Sequence, residues 1–296
     1  MSDRQTHPTA TVASALQAAR QQGLERLDAE LLMGAVLGKP RSWLLAHDTD
    51  ALPDPALSAF LALVDRRAQG EPVAYLLGHK EFFGLTLSVS AEVLVPRPDT
   101  EVLVEWALEL LQAGSGHPHP AVLDLGTGSG AIALAIQHQH PRAQVTAVDA
   151  SAGALAVAQA NAARLGLPVR FQLGSWLTPV AGTRFDLIVS NPPYIADDDP
   201  HLRGLTHEPK QALTSGPDGL DDIRWIAAHA PAHLLPGGWL LFEHGWDQAD
   251  AVAALLQHHG FVNVTSREDL GGHRRCTGGH WPSGGPSSPL DGRHDL

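Results

Sequence analysis

Asn191, Pro192, Pro193 and Tyr194 stand together at the end of the apolar run Phe185-Asp186-Leu187-Ile188-Val189-Ser190. An asparagine offers a carbonyl acceptor and an amide donor on one short side chain. The prolines have no N–H, so their carbonyls face a cleft with φ fixed and no local donor competing for them. Tyr194 supplies a flat face for a planar group and a phenol at its edge. These groups suit a planar NH2 group, gripped by accepting both of its hydrogens. For Asn-Pro alone a stiffened turn after a strand is the plainer reading. The full run, with a glycine-rich loop upstream, favours chemistry.

That loop is Asp124-Leu125-Gly126-Thr127-Gly128-Ser129-Gly130. Close approach of a backbone to a ligand needs residues without side chains. Asp124, Gly126, Thr127, Gly128, Ser129 and Gly130 are therefore candidate cofactor-binding residues, together with Asn191. Asp149, at the end of the next strand, is placed to accept hydrogen bonds from a ribose diol. Trp176 follows the third strand and is placed to pack on an adenine ring. The same glycines also satisfy the dinucleotide fingerprint, with an acid some twenty residues on. Two features favour S-adenosyl-L-methionine over a nicotinamide. Asp124 could pair with an amino-acid ammonium, and an Asn-Pro-Pro-Tyr run has no role in hydride transfer. A helix N-cap is the alternative role for Asp149, although Ser151 could fill it; ordinary core is the alternative for Trp176.

The elements that must position these residues read as an alternation of strands and helices from Val122 onward. Strands are expected at 121–124, 144–149, 169–171, 185–189, 239–243 and 262–264, with helices between them. Such a pattern makes a mostly parallel α/β sheet covered on both faces, with ligands at the strands' C-terminal ends. Residues 1–80 read instead as a helical bundle of four helices, with Asp28 as an N-cap, Gly38 as a stop and Pro53-Asp54-Pro55 opening the fourth. Alternation of Leu85, Leu87, Val89, Val93 and Val95 predicts a β-hairpin linker over 81–96, turning near Ser90-Ala91-Glu92. The α/β domain then spans 97–276. The Gly/Pro/Ser-rich segment 277–296 reads as a disordered tail. Residues 212–220 form a long turn-rich loop, expected as a lid over the substrate.

Composition narrows the class. No run approaches the roughly 20 apolar residues of a membrane span, and the N-terminus lacks a signal-peptide pattern, so a cytoplasmic protein is expected. A single cysteine, Cys276, excludes an internal disulfide framework. His229 and His233 stand four apart on an expected helix with no third ligand spaced to join them, so no metal site is expected. The net charge of −12 argues against a nucleic-acid substrate. Nothing demands more than a monomer.

Pro96-Arg97-Pro98-Asp99-Thr100-Glu101, the loop 124–130, Asn191 to Tyr194 and Ser215-Gly216-Pro217-Asp218-Gly219-Leu220 resemble the bacterial release factor glutamine methyltransferases. The resemblance runs from about Leu24 to Arg275 and includes Gly70-Glu71-Pro72, Tyr75 and Glu81-Phe82. It implies a Rossmann-like class I S-adenosyl-L-methionine-dependent methyltransferase domain with a seven-stranded sheet. It also implies that the helical domain recognises the substrate, and that the acceptor is the glutamine amide of the Gly-Gly-Gln motif in class 1 peptide chain release factors. On this reading Asn191, Pro192 and Tyr194 are catalytic, and Asn191, Pro192, Pro193, Tyr194 and Arg97 hold the substrate. A ribosomal-protein glutamine methyltransferase and a DNA or RNA amino-group methyltransferase are the alternatives. A docking protein with a vestigial cofactor domain is a third.

Overall fold

The computed structural model describes residues 10–114 and 117–283. The chain divides into two compact units, one of residues 1–79 with 204–207, the other of residues 80–203 and 208 onward.

The first unit is helical: α1 (Val12–Gln21), α2 (Arg26–Leu37), α3 (Arg41–Ala46), α4 (Asp54–Ala68) and α5 (Val73–Leu77). Its core is Ala19, Leu32, Met33, Phe60 and Val64, all sealed from solvent. Thr11 and Ser14 close a capping box on α1, and Gly38 ends α2 in the left-handed conformation. Two expectations need correction. α2 starts two residues before Asp28, which lies in its first turn and accepts from Arg67 Nε at 2.8 Å rather than capping. The short α5, entered from Pro72, was not foreseen, because five residues carry too little periodicity to announce a helix.

The hairpin is also displaced from its expected register. β1 (His79–Phe82) pairs with β2 (Leu85–Ser88) around Phe83-Gly84, whose φ values of +50° and +76° suit a two-residue hairpin turn. Val89, Val93 and Val95 are buried but lie outside any strand. Their spacing records burial, not pairing.

In the second unit α6 (Glu101–Ala113) precedes β3 (Ala121–Leu125), α7 (Ala131–Gln139), β4 (Gln144–Asp149), α8 (Ala152–Leu165), β5 (Arg170–Leu173) and β6 (Phe185–Ser190). α9 (Asp221–His229), β7 (Leu234–Glu243), α10 (Ala249–His258), β8 (Val262–Glu268) and β9 (Arg274–His280) complete it. The seven strands lie in the order β5-β4-β3-β6-β7-β9-β8, parallel except for β9, which runs against both neighbours. Successive residues feed opposite faces of the sheet. Val122, Leu187 and Leu241 join α6 and α7 in one core; Leu123, Ile188 and Leu240 join α9 and α10 in the other. The order reverses between β3 and β6, which opens a crevice beyond their C-terminal ends.

β9 overturns the expected start of the tail. Thr277 to His280 are strand residues wedged between β7 and β8, and residues from 284 on lie outside the described residues. Thr277-Gly278-Gly279 reads as linker because glycine is rare in strands, yet packing demands it here. A Cβ on Gly278 would sit 2.3 Å from Leu241 Cδ2 and 2.9 Å from Trp106 Cη2; one on Gly279 would sit 2.8 Å from Phe261 Cβ. Gly278→Val is expected to destabilise the protein by ~1–3 kcal/mol through overpacking, read from denaturant unfolding. A tail residue would show no change.

Candidate active site

The glycine loop leaves β3 and is shaped from beneath. Gly126 N and Thr127 N both donate to Val148 O on β4, at 2.9 and 3.0 Å. Gly126 has φ +72°, a left-handed conformation that favours glycine, and the Trp176 ring packs over it. Gly130 has φ +84°, and its missing Cβ makes room for Leu134 and Ala158, which seats α7 against α8. Thr127 and Ser129 are buried. The Thr127 hydroxyl donates to Asp124 Oδ2 at 2.6 Å, and the Ser129 carbonyl accepts from Asn161 Nδ2 at 3.0 Å. Both residues therefore support the loop from inside and turn no side chain to solvent.

Beside this loop opens a cleft of about 850 Å3, its mouth included. Gly126, Gly128, Asp149, Trp176, Asn191 and Pro193 line it, so the structure gathers these six expected residues around one space. Asp124, Thr127, Ser129, Gly130, Pro192, Tyr194 and Arg97 are not among its lining residues. Glu92 and Leu94, from the segment after the hairpin, are, and no sequence pattern marked them.

The two acids near the loop differ in environment. Asp149 takes one backbone N–H on each oxygen, Gly128 on Oδ2 and Ser151 on Oδ1, both at 2.8 Å. Ser151, not Asp149, caps α8 through Ala154 N. Asp124 is fully buried, and its Oδ2 accepts from Thr127 and, at 3.2 Å, from Ala133 N. Its Oδ1 has no partner among the described residues. Burial pushes the Asp124 carboxyl up to about 7, partly offset by those two hydrogen bonds and reinforced by the charge on Asp149. A buried carboxylate oxygen without a donor fits a cationic ligand group. The residues present thus suit S-adenosyl-L-methionine: Asp124 for its ammonium, Asp149 for its ribose and Trp176 for its base.

Beyond β6 the geometry turns on hydrogen bonds. The Ser190 hydroxyl donates to Leu125 O at 2.8 Å, tying the ends of β6 and β3 together. Asn191 Nδ2 donates to Thr100 Oγ1 at 3.2 Å, and its Oδ1 has no partner among the described residues. The Tyr194 hydroxyl donates to Glu243 Oε1 at 3.3 Å. Burial and the adjacent Glu243 charge drive the Tyr194 phenol far up, so it stays a donor. Glu243 itself is buried at the end of β7 and is pushed up to about 7 by burial, a shift that the Thr100 and Tyr194 hydroxyls oppose. Neither Thr100 nor Glu243 was foreseen, and Thr100 makes no side-chain capping bond to α6. The available signal was a carboxylate ending the apolar strand Trp239-Leu240-Leu241-Phe242, since an acid is almost never fully buried without a task.

The loop expected to be a lid is strapped to this motif instead. Ile195 N donates to Leu213 O and Ser215 N to Ile195 O, at 2.9 and 3.0 Å. A Cβ on Gly219 would lie 2.2 Å from Tyr194 O, so the loop backbone packs directly on the motif. Asp222 joins the Ser215 hydroxyl to Trp176 Nε1. Arg97, expected at the substrate, donates from Nη2 to Glu208 Oε1 at 2.5 Å, while Glu208 Oε2 accepts from Val95 N. Its guanidinium is occupied in holding that segment.

Two family models match the chain: the PrmC N-terminal domain over residues 10–78 and the methyltransferase small domain over 102–216. A release factor glutamine methyltransferase of Vibrio cholerae is 47% identical over 289 residues, covering 92% of this chain and 97% of that protein. Proteins of the same name from Bordetella pertussis and Pseudomonas aeruginosa are 53% and 51% identical, covering 87% and 86% of this chain and 96% and 92% of theirs. The chain belongs to the release factor glutamine methyltransferases. Membership accounts for the helical unit as well as for the α/β unit. Solved structures add the fold. A methyltransferase from Pyrococcus furiosus superposes with a TM-score of 0.52 at 18% identity, over 74% of this chain and 99% of that one. The hMettl16 catalytic domain in complex with an RNA hairpin gives 0.55 at 16% identity, over 81% and 84%.

With Asp124 as the partner of the ligand's ammonium, its ionisation would couple to binding. An ammonium beside Oδ1 favours the carboxylate, so affinity for S-adenosyl-L-methionine should rise with pH by up to about tenfold per unit below ~7. It should level off above that, until the ligand's own amine titrates near ~8. In the free protein the sign is opposite. The folded state holds a proton that the unfolded chain releases, so this group makes stability fall as pH rises from about 4 to about 7. Asp124→Asn should weaken binding, flatten its pH dependence and remove that stability slope. Calorimetry and unfolding across pH read all three.

Proposed function

We propose that this protein transfers a methyl group from S-adenosyl-L-methionine to the side-chain amide nitrogen of the glutamine in the Gly-Gly-Gln motif of class 1 peptide chain release factors. One observation carries the chemical part of the reading. Asn191 spends its amide donor on Thr100, so the end left for the cleft is its carbonyl oxygen. A site that presents acceptors selects a ligand that presents an NH2 group.

When bound, S-adenosyl-L-methionine supplies a methyl group activated on a sulfonium. An amide nitrogen is a poor nucleophile because its lone pair is delocalised into the carbonyl. Asn191 Oδ1 and the Pro192 carbonyl accept its two hydrogens, which aims the lone pair and offsets the positive charge that builds on nitrogen. Pro193 and Tyr194 pack beside the planar amide, and one amide proton passes to water as nitrogen becomes acidic. Asp124, Asp149 and Trp176 hold the donor at the ammonium, ribose and base. Arg97 contributes by fixing, with Glu208, the segment that enters the α/β unit.

The partner is a protein and not a nucleic acid, in keeping with the net charge of −12. Nothing in the chemistry calls for more than a monomer. A cytoplasmic location follows from such a partner, and no helix among the described residues is long and apolar enough to cross a membrane.

The test is methyl transfer to purified release factors carrying Gln or Ala in the Gly-Gly-Gln loop, with the product located by mass spectrometry. Modification is expected on the glutamine and absent from the alanine form; equal labelling of both would refute the assignment. Asn191→Ala should lower kcat by about 10²-fold, the order seen when one preorganised polar group is removed. Its affinity for S-adenosyl-L-methionine should stay within about twofold of wild type.

A further inference from the structure

Two neighbouring acids open α9, and they face different surroundings. Asp221 pairs with the Arg224 guanidinium, which Asp218 also holds, and that cluster is exposed to solvent. Asp222 makes no ion pair among the described residues, and it lines the cleft beside Trp176. Its carboxylate instead receives two neutral donors. Oδ2 accepts from the Ser215 hydroxyl at 2.7 Å, and Oδ1 accepts from the Trp176 indole N–H at 3.1 Å. The Ser215 oxygen in turn accepts from Asp222 N at 2.8 Å, so the two residues hold each other reciprocally. Ser215 is buried, and its own N–H donates to Ile195 O, one residue beyond Tyr194. Asp222 therefore meets the indole from a fixed base.

Trp176 needs such a hold. Its φ is +44°, a left-handed conformation that a bulky side chain rarely adopts. Strained backbone of this kind persists only where the surrounding contacts over-determine it. The turn after β5 supplies some of them. Gly174 has φ +153°, and a Cβ there would run into the Pro179 ring, while Gly126 lies against the indole. Those contacts restrain the ring's plane. They leave it free to turn over about its Cβ–Cγ bond and present its other edge. A hydrogen bond to the N–H, the one polar handle on the ring, removes that freedom.

We infer that Asp222 is a positioning residue that fixes the Trp176 indole as the wall against which the donor's adenine packs. The inference rests on the reading of Trp176 as that wall. Stacking between aromatic rings depends on how the facing ring is placed. An indole free to turn must surrender that freedom when the base arrives, which weakens binding. One already held by Asp222 has none left to lose, and the difference appears as affinity for the donor.

The experiment is calorimetric binding of S-adenosylhomocysteine to a double-mutant cycle of Asp222→Ala and Trp176→Phe in the full chain. Phenylalanine keeps a ring but has no N–H for Asp222 to hold. Asp222→Ala alone should weaken binding by about tenfold. With Trp176→Phe already present, the same change should cost less than about twofold, because the two residues act as one unit. Asp222→Asn, which keeps an acceptor for the indole, should bind within about threefold of wild type. Equal losses with and without Trp176→Phe would overturn the inference, since Asp222 would then act through Ser215 and the fold alone. Should Asp222→Ala fail to fold, the Trp176 indole N–H carries the test in the wild type, its heteronuclear NMR signal assigned by its loss in Trp176→Phe. It should exchange slowly with solvent in the free protein; exchange as fast as an exposed, unbonded indole would overturn the inference. Trp176→Ala separates the two levels. If it weakens binding while Asp222→Ala does not, the positioning role is wrong and the reading of Trp176 stands. If Trp176→Ala binds like wild type, the reading of Trp176 itself has failed.

Discussion

The parallel pairing of β3 with β6 is the constraint on which the site depends. Their register ends at Leu125 opposite Ser190, and the Ser190 hydroxyl locks that last step to the Leu125 carbonyl. The next residue of each strand is then Gly126 on one side and Asn191 on the other, close enough that a Cβ on Gly126 would lie 4.0 Å from Asn191 O. The glycine loop and the Asn191 motif are thus neighbours by strand register alone. A one-residue slip would send Leu187, Ile188 and Val189 to the wrong faces and separate the two loops. The sheet cores on either side therefore protect the chemistry as well as the fold.

Around that junction the protein keeps three acids in unequal states. Asp149 lines the cleft and is satisfied by two backbone amides. Asp124 and Glu243 are each buried with one oxygen unpaired among the described residues, and both are pushed up to about 7. An unpaired buried charge is costly to a fold unless a ligand or a function uses it. The orphan oxygen of Asp124 suits the ammonium of the proposed donor. Glu243 accepts from the Tyr194 hydroxyl at the end of β7.

The glycine loop, Asp149 and Asn191 to Tyr194 were legible because their chemistry is local: bare backbone, an acid at a strand end and a donor-free proline pair. So was the α/β alternation, which rests on periodicity. What escaped depends on contacts distant in sequence. Thr100 lies 91 residues from Asn191, and Glu243 lies 49 from Tyr194, so no spacing announced them. Gly278 and Gly279 looked like linker until Trp106, Leu241 and Phe261 were seen filling the space of their missing side chains. The hairpin was misplaced because alternate burial at Val89, Val93 and Val95 mimics a strand without its pairing. Arg97 looked free between two prolines, and only the fold brings Glu208 to it.

The central claim is that the cleft holds a glutamine amide by its two hydrogens. The most direct measurement is a crystal structure of the protein with S-adenosylhomocysteine and a release factor domain containing the Gly-Gly-Gln loop. The account predicts the glutamine nitrogen within about 3.2 Å of both the outward end of Asn191 and the Pro192 carbonyl. A glutamine nitrogen that reaches neither of these groups would contradict it.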